Sequence, residues 1–310
     1  MREDVTIPST FDLDGWLYRP DGSDTPRPTI VMCHGLAAVK DQFLDDWASR
    51  FCEAGFVVVV YDHRGFGKSG GPRLDIDPWA QVRDAQDVIS YAQALPYVDE
   101  DKIGFWGTSF SGGHAIVLGA IDRRIKSVVA QVPTVDGTES FLRRIPPGQV
   151  AERESGYAKE RQKIYDGGDP TLLHLLPHDG EPGIWGDPEA VTFFENTQGA
   201  NPPSFEAKMT VLSTERARDY NPVEFIARVS PTPLLMIVGS HDTVVMTDLV
   251  LEAYEKALEP KKLDLFEGAH WTPYEDAVRE HSISTATDWF RDTLGLQTSA
   301  EAEEDARLAA

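Results

Sequence analysis

A pair recurs along this chain: a short run rich in β-branched residues, then an amphipathic stretch. The runs are Pro28 to Gly35 (PTIVMCHG), Gly55 to Gly65 (GFVVVVYDHRG), Lys102 to Ser109 (KIGFWGTS), Ile125 to Pro133 (IKSVVAQVP), Thr232 to Asp242 (TPLLMIVGSHD) and Lys261 to His270 (KKLDLFEGAH). Phe43 to Ala54, Trp79 to Leu95, Gly113 to Ile121, Thr247 to Ala257 and His281 to Leu294 carry helical periodicity between and after them. Continuous Val/Ile/Leu runs belong to strands buried on both faces, and helical crossovers supply that cover. The pattern predicts an α/β fold around a parallel sheet. Two polar–apolar alternations, near Val5 and around Trp16, add an antiparallel edge pair.

From Thr134 to Ala227 the rhythm stops: Pro and Gly are frequent and large apolar residues are scattered. A structureless loop of that length is implausible in a compact domain. The reading is therefore a core of residues 1–133 and 228–295, with 134–227 a mostly helical lid over one end of the sheet. Residues 296–310 form an acidic tail expected to fray.

Against 29 Lys and Arg stand 51 Asp and Glu, a net charge of −22 that repels phosphate backbones and anionic bilayers. Neither nucleic acid nor a membrane is expected as a partner. Cys33 and Cys52 are too few for a disulfide framework and read as small buried hydrophobes. The N-terminus lacks an apolar h-region and no run reaches the roughly 18 residues of a membrane span, so a cytoplasmic location is expected.

Three strand ends carry the chemistry. Ser109 follows one run, Asp242 another and His270 the last, in the order Ser, Asp, His. A serine hydroxyl becomes nucleophilic when an imidazole takes its proton, and a carboxylate on the far ring nitrogen orients that imidazole and steadies its charge. The oxyanion that follows needs backbone donors. Phe110, directly after the serine, offers one N–H, and Leu36 in the His34-Gly35-Leu36 turn offers another. Alone, Ser109 could be a turn residue, Asp242 a helix cap and His270 a surface histidine. Three such residues at three strand ends in one order make coincidence a poor explanation.

Other candidates read as structural. His34 and His63 sit in turns, where backbone hydrogen bonds are expected, and His114 and His241 have no required role. His174 and His178 have the i, i+4 spacing of metal ligands, but Pro177 interrupts them and no third ligand is evident; no metal is expected. Gly65 to Gly70 matches G-x-G-x-x-G, and Gly67-Lys68-Ser69 resembles the end of a phosphate loop. Yet Asp62 opposes phosphate and Pro72 with a further loop separates the glycines from the next helix, so a demanding turn is the better reading.

Taken together, His34-Gly35, D-H-R-G-F-G-K-S, W-G-T-S-F-S-G-G, G-S-H-D and G-A-H resemble the α/β-hydrolase superfamily. The WGTSFSGGH wording is similar to a dipeptidyl-peptidase-like branch that includes fungal polyketide transferases and thiohydrolases. The resemblance implies an eight-stranded, mostly parallel sheet, a variable lid, no cofactor, Ser109, Asp242 and His270 as triad, and donors at Leu36 and Phe110. Ser111 stands where that pattern has glycine. The expected activity is hydrolysis of a small-molecule ester, thioester or lactone through an acyl-enzyme. The pocket is expected to draw on His34, Phe141, Trp185, Phe193, Phe194 and Trp271. Acyl transfer to a non-water acceptor and ligand binding without catalysis are the alternatives, and the oligomeric state, a homodimer included, is left open.

Overall fold

The computed structural model describes residues 1–21 and 25–296. Along the chain come β1 (Arg2–Ile7), β2 (Leu13–Tyr18), β3 (Arg27–Cys33), α1 (Leu44–Glu53), β4 (Val57–Tyr61), α2 (Pro78–Gln93), β5 (Val98–Thr108), α3 (Phe110–Ile121) and β6 (Ile125–Gln131). Then follow α4 (Gly137–Arg144), α5 (Val150–Tyr165), β7 (Leu172–His174), α6 (Pro188–Asn196), β8 (Lys208–Thr210) and α7 (Val211–Arg218). The chain returns to the main sheet through β9 (Leu234–Gly239), α8 (Thr247–Lys256), β10 (Lys261–Phe266) and α9 (Asp276–Leu294).

Eight strands form one sheet in the order β1-β2-β4-β3-β5-β6-β9-β10. β1 and β2 pair antiparallel, β2 meets β4 antiparallel, and every later pairing is parallel. The strands read as unbroken hydrophobic runs because alternate side chains feed two cores. Val31, Cys33, Val57, Val59 and Phe105 pack with α2, α3 and α8; Ile30, Met32, Val58, Val60 and Trp106 pack with α1 and α9. Phe105 and Trp106 are both fully buried, on opposite faces, and burying such a side chain contributes roughly 1.5–3 kcal/mol. Here the fold reading holds.

Some boundaries differ from the sequence reading. Helix α3 starts at Phe110 rather than Gly113, because Gly112 and Gly113 mask its first turn to a propensity argument. Helix α9 begins five residues before His281, at Asp276. Between β6 and β9, beside helices α4 to α7, β7 and β8 form a small antiparallel pair, three residues each, too short to leave a periodic signal. Leu296 packs on the α1–α9 side of the core, and the predicted tail beyond it lies outside the described residues.

Candidate active site

Strand β5 ends at Thr108 and α3 begins at Phe110, so Ser109 is the single residue of the turn between them. Its backbone sits at φ 55°, ψ −118°, a conformation that costs a non-glycine residue about 1–3 kcal/mol. Neighbours hold it there. The Ser109 N–H donates to the Gln131 carbonyl at 2.8 Å, and its own carbonyl accepts from Gly112 and Thr134, each at 2.9 Å. A side chain at Gly107 is excluded by the tightness of the same turn: its Cβ would stand 1.9 Å from the Ser111 carbonyl oxygen.

Parallel neighbours β9 and β10 deliver the other two residues to the same edge of the sheet. His270 Nε2 lies 3.0 Å from Ser109 Oγ, and His270 Nδ1 lies 2.7 Å from Asp242 Oδ2. The second oxygen of Asp242 accepts from the Val244 and Val245 amides at 2.8 and 3.0 Å, which aims the carboxylate at the ring. Burial opposes ionisation of Asp242, but His270 and those two amides outweigh it and hold the carboxyl below its ordinary range. An ionised Asp242 keeps the imidazole proton on Nδ1, leaving the Nε2 lone pair towards the hydroxyl. Asp242 is no helix cap: α8 is preceded by Met246.

The His34-Gly35-Leu36 turn passes directly against the serine. A Cβ on Gly35 would lie 3.0 Å from Ser109 Cβ. His34 Nδ1 is 3.0 Å from the Gly35 carbonyl, and its Nε2 accepts the His63 amide at 3.0 Å, so the Nδ1–H tautomer satisfies both. The Ser111 hydroxyl donates to the His34 carbonyl and lies 2.8 Å from His63 Nε2. With its hydrogen spent on that carbonyl, Ser111 Oγ accepts the proton of His63 Nε2. Backbone hydrogen bonding was the expectation for both rings; that of His63 bonds Ser111 instead. Burial pushes His34 and His63 below the usual histidine range, so both stay neutral near pH 7.

Asp62 serves the same loop. Its carboxylate accepts the Lys40 amide at 2.6 Å and the Lys40 ammonium at 2.8 Å, and that ammonium also reaches Asp14. Burial opposes the Lys40 charge, but the two carboxylates raise its pKa regardless. The Asp62 to Gly71 turn therefore anchors the chain beyond Leu36.

Two cavities meet at Ser109, Leu36 and His270. The smaller, about 50 Å³, has aromatic walls that include Trp185, Phe193, Phe194 and Trp271, with His34 at its edge. Phe193 stacks on Trp271 with centroids 5.0 Å apart, and Trp185 on Phe194 at 5.4 Å. The larger, about 430 Å³, is bounded by Phe110, Phe141 and, from its other side, Trp185. All the expected pocket residues thus touch one cavity or the other. Phe43 and Tyr274 also line the smaller cavity, and Arg144 and Arg218 the larger; no motif marks any of them in the sequence. His174 and His178 lie elsewhere, their rings stacked 4.3 Å apart.

A family model described as serine aminopeptidase, S33, matches residues 24–275. A 31.7 kDa uncharacterized protein of Escherichia coli is 30% identical over 280 residues, covering 89% of this chain and 95% of its own. A thiohydrolase of Eupenicillium brefeldianum is 29% identical over 261 residues, covering 83% and 82%. The polyketide transferase GrgF of Penicillium sp is 30% identical over 273 residues, covering 86% and 88%. The crystal structure of the α/β hydrolase GrgF superposes with a TM-score of 0.83 over 96% of this chain and 100% of that one, at 26% identity.

Proposed function

The chain belongs to the serine aminopeptidase S33 family of α/β hydrolases, and from that premise we propose that it cleaves a carboxylic ester, thioester or lactone through an acyl-enzyme on Ser109. The observation that carries the reading is the chain of contacts from Asp242 through His270 to the strained Ser109, at 2.7 and 3.0 Å. In this mechanism His270 Nε2 takes the hydroxyl proton as Ser109 Oγ attacks the substrate carbonyl. Asp242, already ionised and held by two amides, steadies the imidazolium. The carbonyl oxygen becomes an oxyanion facing the Leu36 and Phe110 amides, and the α3 N-terminus adds a favourable dipole. His270 then gives its proton to the departing alcohol or thiol. Water, activated by the same histidine, releases the acid and regenerates Ser109.

Residues 134–227 act in this reading as the lid, since Phe141, Trp185, Phe193 and Phe194 form walls above Ser109. The substrate is a small molecule with an apolar portion. Transfer of the acyl group to an alcohol or amine is the second reading. It is favoured by the roomy cavity beside His270 and by similarity to a polyketide transferase.

The test is a panel of 4-nitrophenyl esters, acyl thioesters and lactones, with and without a non-water acceptor, on wild type and Ser109→Ala. Wild type should turn over at least one class, and Ser109→Ala should lower kcat by roughly a million-fold while remaining folded. Near-normal turnover by Ser109→Ala overturns the proposal, and the acceptor arm decides between hydrolysis and transfer.

A further inference from the structure

Four side chains that can carry charge border the larger cavity: Arg144, Asp187, Arg218 and His270. Three are already engaged. His270 faces Asp242; Asp187 caps α6 by accepting the Ala190 amide at 2.9 Å; Arg218 is ringed by Glu154, Asp219 at 2.8 Å and Glu215 at 3.7 Å. Arg144, the last residue of α4, differs. Its guanidinium donates from Nη2 to the Thr243 carbonyl at 3.3 Å and to the Val244 carbonyl, in the turn just after Asp242. No carboxylate among the described residues lies within ion-pair distance of it. The adjacent Arg143, pointing away, is bridged to Glu139 at 2.9 Å and to Asp248. Arg144 keeps an exposed share at the rim of the cavity; partial desolvation of its guanidinium lowers its pKa, and Asp242 and Asp187 offset this only from a distance.

A guanidinium tethered by one nitrogen to two carbonyls keeps its other N–H groups for a planar oxyanion, which it can bind through two parallel hydrogen bonds. We propose that Arg144 binds a carboxylate on the substrate of the Ser109 site; this rests on Ser109 as the nucleophile. The division of the site follows. The aromatic chamber of about 50 Å³ takes a short alkyl portion, and the chamber of about 430 Å³ takes the larger, carboxylate-bearing portion. The latter volume falls within the usual span for small-molecule pockets. A single negative charge suits the place better than a phosphate dianion, because Asp187 and Asp242 also act there. In a chain of net charge −22, the arginine supplies the local attraction that the surface denies to an anion.

The carboxylate could sit on the acyl or on the leaving group, and two matched pairs separate these. One pair is 4-nitrophenyl hydrogen glutarate and 4-nitrophenyl pentanoate; the other is S-butyryl thioglycolate and its methyl ester. The readout is the ratio of kcat/KM, anionic over neutral, within wild type, Arg144→Gln and Arg144→Lys, so that general damage cancels. In at least one pair the wild-type ratio should fall by about tenfold or more in Arg144→Gln, the scale of one charge-assisted contact, and recover in part in Arg144→Lys. A ratio unchanged by Arg144→Gln in both pairs overturns the assignment. If no substrate is turned over while Ser109 still takes a fluorophosphonate, the carboxylate assignment falls and the nucleophile stands; if Ser109 takes none, both fall.

Discussion

Gly35 and Ser109 are in near contact: a Cβ on Gly35 would stand 3.0 Å from the serine's own. The turn carrying Leu36 can approach Ser109 this closely only because position 35 has no side chain. An added methyl must push the turn or the serine by a few tenths of an ångström. Oxyanion donors lose effect quickly when displaced. Gly35→Ala should therefore lower kcat/KM for any turned-over ester by about ten- to a hundredfold. The urea unfolding midpoint, measured alongside, should move little.

Ser111 is expected to matter for stability rather than for nucleophilicity. Its hydroxyl joins the His34 carbonyl to His63 Nε2 in a fully buried position. Ser111→Ala leaves both groups unpaired, at a cost of about 1–3 kcal/mol for each buried polar group so stranded. Chemical denaturation should show a loss of at least the cost of one such group, about 1–3 kcal/mol, and the variant should still take a fluorophosphonate on Ser109.

The buried histidines predict a pH dependence of stability. Burial, aided by His34, pushes His114 down to about 3, while its two ring nitrogens lie 2.9 Å from the Tyr220 hydroxyl and 3.1 Å from the Gln81 amide oxygen. Unfolded, a histidine titrates near 6.5. Between these values the unfolded chain holds the extra proton, so stability is complete above about pH 6.5 and is lost as pH falls towards 3. The slope approaches about 1.4 kcal/mol per pH unit for each such histidine. Between pH 6 and 5, before carboxylates contribute much, His114→Gln should flatten the curve by roughly 1 kcal/mol per unit. An unchanged slope contradicts the linkage.

The sheet and the places of Ser109, Asp242 and His270 were legible because strands covered on both faces must be apolar throughout, which makes their ends easy to find. Chemistry confined to strand ends then leaves few candidate positions. The rest depended on distance in sequence. Ser111 meets His63 across 48 residues, and nothing local to either betrays the pairing. Arg144 is one of two consecutive arginines at the end of α4; which one faces the cavity depends on how α4 docks. Strands β7 and β8 pair because the segments on either side bring them together, not because three residues favour extension. The Asp62 turn was recognisable as demanding, but its service to Lys40 depends on a contact 22 residues away.

Mass-spectrometric localisation of a fluorophosphonate adduct decides whether Ser109 is the nucleophile. Wild type and Ser111→Ala should each carry one adduct, on Ser109, and a folded Ser109→Ala none. An adduct on Ser111, or labelling that survives Ser109→Ala, contradicts that role for Ser109.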